Sequence, residues 1–247
     1  MKLNIDNVKR QMLAGLVRRG LSKNDSTVLV ESFLEAELRG KKTHGISKLF
    51  LLEEALQKRD GKPEIIKEKF NYAFIDGHKE LGHITANVAT DVLIRKAKKH
   101  GTAFVAVTNS YYYTMVGSYA RKVAKEGFVC IVLNNGGPAA VVPYGGTTPI
   151  FGTNPIAIGI PTNEEPLVLD MATSEKSWGE INLAKVEGRP LQEKTFLDKK
   201  GTFTTIPDQV CGIEPFGGMK GAGLNELRQK SGERLTFFCK CARADAL

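Results

Sequence analysis

From Ile65 onward, short apolar runs rich in β-branched residues alternate with amphipathic helical runs, and few architectures satisfy that alternation. Residues 103–107 (Ala-Phe-Val-Ala-Val) and 128–133 (Phe-Val-Cys-Ile-Val-Leu) are apolar at every position, as strands buried on both faces require. Further strands are expected at 156–160 and 166–169, and residues 65–76 read as a strand pair or one long strand. Helical spacing of apolar residues marks 85–99 and 115–126 between them. The expected fold is α/β, a mixed sheet covered by helices. It is not a Rossmann fold: neither the glycine fingerprint G-x-G-x-x-G nor the phosphate loop G-x-x-x-x-G-K-[ST] occurs.

The first sixty residues follow a different grammar. Val8, Met12, Leu13, Leu16 and Val17 repeat on one side of a helix over 6–19, stopped by Gly20. Ser22 is a candidate N-cap for a second helix that runs to Gly40, and 49–57 predicts a third, ending near Asp60-Gly61-Lys62-Pro63. We therefore divide the chain into a helical segment at 1–62, an α/β cofactor-binding domain at 63–227 and an atypical tail at 228–247. Between the second and third helices lies Arg39-Gly40-Lys41-Lys42-Thr43-His44-Gly45-Ile46-Ser47-Lys48-Leu49. It sets one imidazole among cations on a turn, where side chains can face a ligand. A lone histidine is more often structural than catalytic, so His44 needs support from elsewhere in the chain.

The net charge of +8 suits an anionic ligand. Lysines and arginines occur singly or in twos and threes on helix faces, without interleaved aromatics, so no nucleic-acid partner is expected. No apolar run approaches bilayer length and the N-terminus lacks a hydrophobic signal region, so neither a membrane partner nor export is expected and the expected location is cytoplasmic. The four cysteines are too few and too irregularly spaced for a disulfide framework or a zinc site; Cys130, within an apolar run, reads as a buried thiol. No metal is expected.

Dense Gly, Asn and Pro at Asn134-Asn135-Gly136-Gly137-Pro138, Pro143-Tyr144-Gly145-Gly146 and Phe151-Gly152-Thr153-Asn154-Pro155 imply tightly specified turns whose backbone amides could hold an anion, although turn chemistry alone gives the same composition. A hairpin is expected around Lys200-Gly201, and a helix entry at Phe216-Gly217-Gly218-Met219-Lys220-Gly221.

Several of these segments, taken together, resemble one family, the type 2 malate/L-lactate dehydrogenases, which also include sulfolactate, ureidoglycolate and cyclic-imino-acid oxidoreductases. The matching pieces are Arg39-Gly40 with Thr43-His44-Gly45 and Lys48-Leu49, Asn109-Ser110, Pro143-Tyr144-Gly145-Gly146, Phe151-Gly152-Thr153-Asn154-Pro155-Ile156, Leu169-Asp170-Met171-Ala172-Thr173-Ser174 and Pro215-Phe216-Gly217-Gly218-Met219-Lys220-Gly221. They fall in the family's order and cover about residues 3–227. The resemblance implies the mixed-sheet, non-Rossmann fold of L-sulfolactate dehydrogenase, NAD or NADP as cofactor, a small 2-hydroxy or 2-oxo acid such as malate or lactate as substrate, and a homodimer. It implies that His44 exchanges the substrate proton and that Lys48, where the family usually has arginine, pairs with the substrate carboxylate; Asn154 falls in the substrate-binding motif. A lysine keeps the charge but loses the bidentate fork. Asp170, Met171, Ala172, Thr173, Met219 and Lys220 match cofactor-contact positions.

Two departures qualify the resemblance. Many relatives carry a histidine shortly after the Asn-Ser pair, where this chain has Tyr112; a phenol donates a hydrogen bond but is a poor proton acceptor at neutral pH. The essential acid/base is then either His44, with Tyr112 as an orienting donor, or the replaced residue, which leaves catalysis weak. Beyond Leu227 the sequence matches nothing in the family, and we read residues 228–247 as a frameshifted or prematurely ended frame. The alternative to an active dehydrogenase is therefore a truncated, inactive relative that retains ligand binding or dimerisation.

Overall fold

The computed structural model describes residues 4–49, 51–135, 137–219, 221 and 236–243. Three helices come first: α1 (Ile5–Arg18), α2 (Lys23–Leu38) and α3 (Leu51–Gln57). Asn4 and Ser22 cap α1 and α2 by accepting from Asn7 N and Asp25 N, each at 3.0 Å. Leu16, Leu29, Val30, Phe33 and Leu52 close a core of their own, into which the next helix inserts Leu81 and Ile84.

The 65–76 stretch is a strand pair, β1 (Glu64–Glu68) and β2 (Tyr72–Asp76). There follow α4 (Gly82–His100), β3 (Ala103–Thr108), α5 (Gly117–Lys125), β4 (Phe128–Leu133), β5 (Ile156–Ile160), β6 (Leu167–Met171), α6 (Trp178–Glu187), the short strands β7 (Phe196–Leu197) and β8 (Gly212–Ile213), and β9 (Thr236–Arg243). Most of these ranges follow the apolar periodicity closely. The expected hairpin lies at β7, where Asp198 accepts from Lys200 N and Thr202 N around Gly201, whose φ is +76°.

The main sheet is mixed, in the order β1-β2-β3-β9-β4-β5-β6. Among the described residues β2 and β3 pair in parallel and the remaining neighbours in this sheet are antiparallel. Helices α4 and α5 cover one face, where Ile75, Leu93, Val105, Val107, Val123, Cys130 and Val132 form the largest core. Cys130 is buried there, as its apolar context implies. Besides the two-residue β8, two elements escaped the sequence reading. α6 is one, its apolar residues Trp178, Ile181, Leu183, Ala184 and Val186 being spread around the helix instead of on one face; only Ile181 and Ala184 are buried. β9 is the other. It falls in the tail, which shows no sustained alternation, yet its backbone takes the central slot between β3 and β4.

On the opposite face of β4, β5 and β6, register sets Leu133, Ile156 and Met171 side by side, and Ile131, Ile158 and Leu169 likewise. Leu167 and Leu169 are 65% and 46% exposed there. Among the described residues no helix is long and apolar enough to cross a membrane.

Candidate active site

The histidine turn consists of two successive 3₁₀ turns, Lys42–His44 and Ile46–Lys48, so His44 sits between helices as its sequence implies. Backbone bonds hold the loop at both ends: Lys41 N donates to Ala36 O (2.9 Å), His44 N to Lys41 O (2.8 Å) and Lys48 N to Gly45 O (2.9 Å). Glu37, in the last turn of α2, accepts from Ile46 N at 2.9 Å and pins the middle. Nothing in the sequence singles out Glu37, since its partner is a backbone amide nine residues away.

His44 is half-buried, with Nδ1 2.9 Å from Thr43 Oγ1. Burial, followed by the charges of Lys48 and Lys41, lowers its pKa from 6.5 to about 4. At neutral pH the ring is therefore uncharged and keeps a free acceptor capacity. Burial also lowers the pKa of Lys48. Thr43 packs against Gly179, which puts the first turn of α6 beside the histidine turn.

Asp170, near the end of β6, faces the same region. Its Oδ2 accepts from Gly117 N at 3.0 Å, capping the exposed N–H groups that open α5. Burial raises its pKa, opposed by the Gly117 bond and then by the charges of Lys41 and Arg121. Lys41 thus acts on both Asp170 and His44, and joins the helical segment electrostatically to the sheet. Arg121 in turn bonds Glu35 of α2 through Nε at 3.2 Å, and Arg39 reaches the same carboxylate oxygen at 2.8 Å.

The residues after Asp170 knit three distant loops together. Thr173, buried, donates from N to Thr153 O (2.9 Å) and from Oγ1 to Asn154 O (3.0 Å), while Phe216 N donates to Thr173 O (3.0 Å). Asn154 is wholly buried with φ of +38°, a left-handed conformation that asparagine tolerates better than most residues. The Tyr144 ring lies beside Gly218. Met171 and Ala172 are half-buried, and Met219 is 74% exposed on the helical turn that follows Gly218. Lys220 lies outside the described residues.

Tyr112 belongs to a loop before α5, 42% exposed. Burial, then the nearby charge of Glu54, pushes its hydroxyl up to about 12, so at neutral pH it stays protonated and can donate a hydrogen bond. No hydrogen bond joins it to His44 among the described residues. Its position is set from below by groups that sequence reasoning missed. Gly82, at the start of α4, lies so close to the Tyr111 and Tyr112 backbone that a Cβ there would collide with it. Tyr111 N donates to Glu80 O at 3.1 Å, and the buried Glu80 carboxylate is bonded to Leu81 N and paired with Arg59. His83, also buried, sets Nε2 3.3 Å from Thr114 Oγ1 and its ring 4.9 Å from that of Phe33. Only the fold brings these residues under the tyrosines.

The structure therefore sets His44 and Lys48 on one turn beside the start of α6, puts His44 and Asp170 both within the field of Lys41, buries Thr173 and Asn154 in hydrogen-bonded loops, and keeps Tyr112 on a separate loop within the field of Glu54 in α3. This histidine turn and loop cluster coincide with a family pattern. The profile of the malate/L-lactate dehydrogenases matches residues 3–227.

The chain belongs to the malate/L-lactate dehydrogenase family. It is 32% identical over 224 residues to a malate dehydrogenase of Pyrococcus horikoshii, covering 85% of this chain and 62% of that protein. Against an L-sulfolactate dehydrogenase of Methanothermobacter thermautotrophicus it is 34% identical over 216 residues, covering 85% and 63%. The chain thus spans less than two thirds of the length of either relative. The crystal structure of a dehydrogenase from Sinorhizobium meliloti superposes with a TM-score of 0.92 at 30% identity, over 100% of this chain and 80% of that one. The non-Rossmann mixed sheet is that of the malate/L-lactate dehydrogenase family.

Proposed function

We propose that the chain is an NAD(P)-dependent oxidoreductase that interconverts a small 2-hydroxy acid of the malate or lactate type and its 2-oxo acid. One observation carries this reading: an uncharged, half-buried imidazole flanked by Lys41 and Lys48 in a member of this family. In the oxidative direction His44 accepts the hydroxyl proton, a step open to it because burial and the two lysines keep it unprotonated. Lys48 pairs with the carboxylate beside the reacting carbon, and the protonated Tyr112 orients the reacting oxygen as a donor. A bound nicotinamide supplies the hydride acceptor or donor. Asp170, Met171, Ala172, Thr173, Met219 and Lys220 are the residues we assign to holding it, and Asn154 to the substrate side. The fit rests on the loop cluster around Thr173 and on Tyr144 and Met219, exposed side chains suited to lie against a flat ring.

On this reading the helical segment 1–62 supplies the proton and carboxylate handling, and the α/β part 63–227 the cofactor cradle. We further propose assembly as a homodimer, supported by the apolar outer face of β4, β5 and β6.

The test is oxidation of NADH and NADPH with oxaloacetate or pyruvate by wild type and His44→Ala. Turnover that the substitution lowers by at least about a hundredfold supports the assignment; unchanged turnover removes His44 from it. A second reading has a specific observation behind it. The phenol at Tyr112, pushed up to about 12, cannot replace a histidine as base. A family member that binds without turning over would still quench cofactor fluorescence while leaving NADH unoxidised at high protein concentration.

A further inference from the structure

Helix α4 is 19 residues long, so its last turn lies about 27 Å from Gly82 and the tyrosine loop. Where that far end meets the turn between β1 and β2, a cavity of about 270 Å³ opens. Lys69 and Phe70 line it from the hairpin, and Arg95, Lys99 and His100 from the helix. Lys96, also in the lining, is only 6% exposed; its Nζ donates to Lys69 O (2.6 Å) and Phe70 O (3.2 Å) and fastens the turn to the helix. Glu68, the one carboxylate of the lining, is committed to Lys96 at 2.8 Å and Arg95 at 3.5 Å. The Lys96 bond, and after it the charges of Lys96, Arg95 and Lys99, hold its carboxyl below the usual range against desolvation, so Lys99 reaches the same spot. Among the described residues Lys69 and Lys99 have no ion pair of their own. Phe70 stands among these cations 80% exposed, its ring meeting that of His100 near edge-on at 6.2 Å. The dipole of α4 accounts for cations in its last turn, but not for Lys69 and Phe70, which another element brings.

We propose that this cavity is a second ligand site, separate from the candidate active site, that takes a nucleoside monophosphate: the base stacks on Phe70 and the phosphate is held by Lys69 and Lys99. The two halves of such a ligand match the two features of the cavity, an open aromatic face and unpaired ammonium groups beside it. The buried Lys96 holds the hairpin turn in place before anything binds, which lowers the ordering cost of recognition. A free nucleotide fits better than a nucleic-acid strand, which needs a basic groove tracking successive phosphates. Here the unpaired charge is local, since beyond the cavity Lys98 and Lys122 are neutralised by Glu126 and Asp91. No residue of the candidate active site takes part, so the proposal stands apart from the dehydrogenase reading.

Titration calorimetry of the whole 247-residue protein at low salt tests this with adenosine monophosphate, adenosine and inorganic phosphate, each repeated with NADH in excess to fill any cofactor site. The nucleotide is expected to bind with a Kd below about 1 mM, roughly tenfold or more tighter than adenosine or phosphate, and to do so whether or not NADH is present. Phe70→Ala should weaken it about tenfold by removing the stacking face. Lys69→Ser combined with Lys99→Ser should weaken it by a similar factor. All three side chains are exposed, so the variants should keep the wild-type denaturation midpoint. No nucleotide binding, binding that NADH abolishes, phosphate binding as tight as that of the nucleotide, or an affinity that either variant leaves unchanged each overturns the proposal. Tighter binding of a single-stranded oligonucleotide, lost in the same variants, would assign the cavity to nucleic acid and overturn it as well.

Discussion

At the scale of the residue, His44 turns on its protonation state. Its pKa of about 4 in the fold lies below the ordinary 6.5, so it remains uncharged through the neutral range. The rate of hydroxy-acid oxidation should stay flat from pH 7 down to about 5 and fall only as the ring protonates near 4. The charge of Lys48 is one cause of that depression, so Lys48→Met should move the titration upward. An NMR titration of the imidazole checks both statements; a wild-type midpoint near 6.5 would contradict them. Tyr112 gives a second prediction. As a permanently protonated donor it should lose about tenfold in turnover on Tyr112→Phe, with the acid limb of the pH profile unmoved. A profile that shifts instead would make the phenol a titrating participant.

At the scale of the element, the contacts that matter are those where one segment leaves no room for another. α5 opens at Gly117, where a Cβ would lie 2.8 Å from both Cβ and Oδ2 of Asp170. Gly117→Ala must therefore displace Asp170 and uncouple β6 from α5, at a cost of about 1–3 kcal/mol. Chemical denaturation measures this loss, and cofactor affinity should fall in parallel because Asp170 opens the segment we assign to the cofactor. A stability loss below about 0.5 kcal/mol would show that the helix start can shift without penalty. Gly82 plays the same part beneath the tyrosine loop. There Gly82→Ala should lower turnover by displacing Tyr112, read as slower NADH oxidation with oxaloacetate or pyruvate; unchanged turnover would show that the tyrosine loop gives way without consequence.

At the scale of the whole molecule, the helical segment and the sheet share a seam at the start of α4. His83 lies in it, fully buried against Phe33, and burial lowers its pKa to about 4. The unfolded chain, with an ordinary histidine near 6.5, takes up the proton first as pH falls. The stability His83 permits is thus complete above about 6.5 and is lost progressively between 6.5 and 4, by up to about 3 kcal/mol for the full shift. His83→Leu should flatten that part of the pH–stability curve. An identical slope in wild type and variant would place the acid sensitivity elsewhere. Truncation of its neighbour, Phe33→Ala, should cost about 3–5 kcal/mol by opening a cavity across the seam, read as a lower midpoint in denaturant.

The local sequence determined what local physics controls. Apolar periodicity was enough to place β3, β4 and β5 and to locate α1, α2 and α4, because β-branched apolar runs and amphipathic helical spacing carry that pattern, although β4 and β5 bury only one face fully, contrary to the expectation for 128–133. The cation-flanked turn at His44 was legible for the same reason, as helix stops and glycines act over a few residues. What no window of sequence contained is the set of long-range partners: Glu37 on Ile46, Asp170 on Gly117, Glu80 and His83 beneath the tyrosines, and β9 between β3 and β4. Those pairings depend on the sheet order and on the docking of α2 against α4. Only the tertiary structure brings Lys41 near both His44 and Asp170, since an electrostatic neighbour 129 residues away has no local signature.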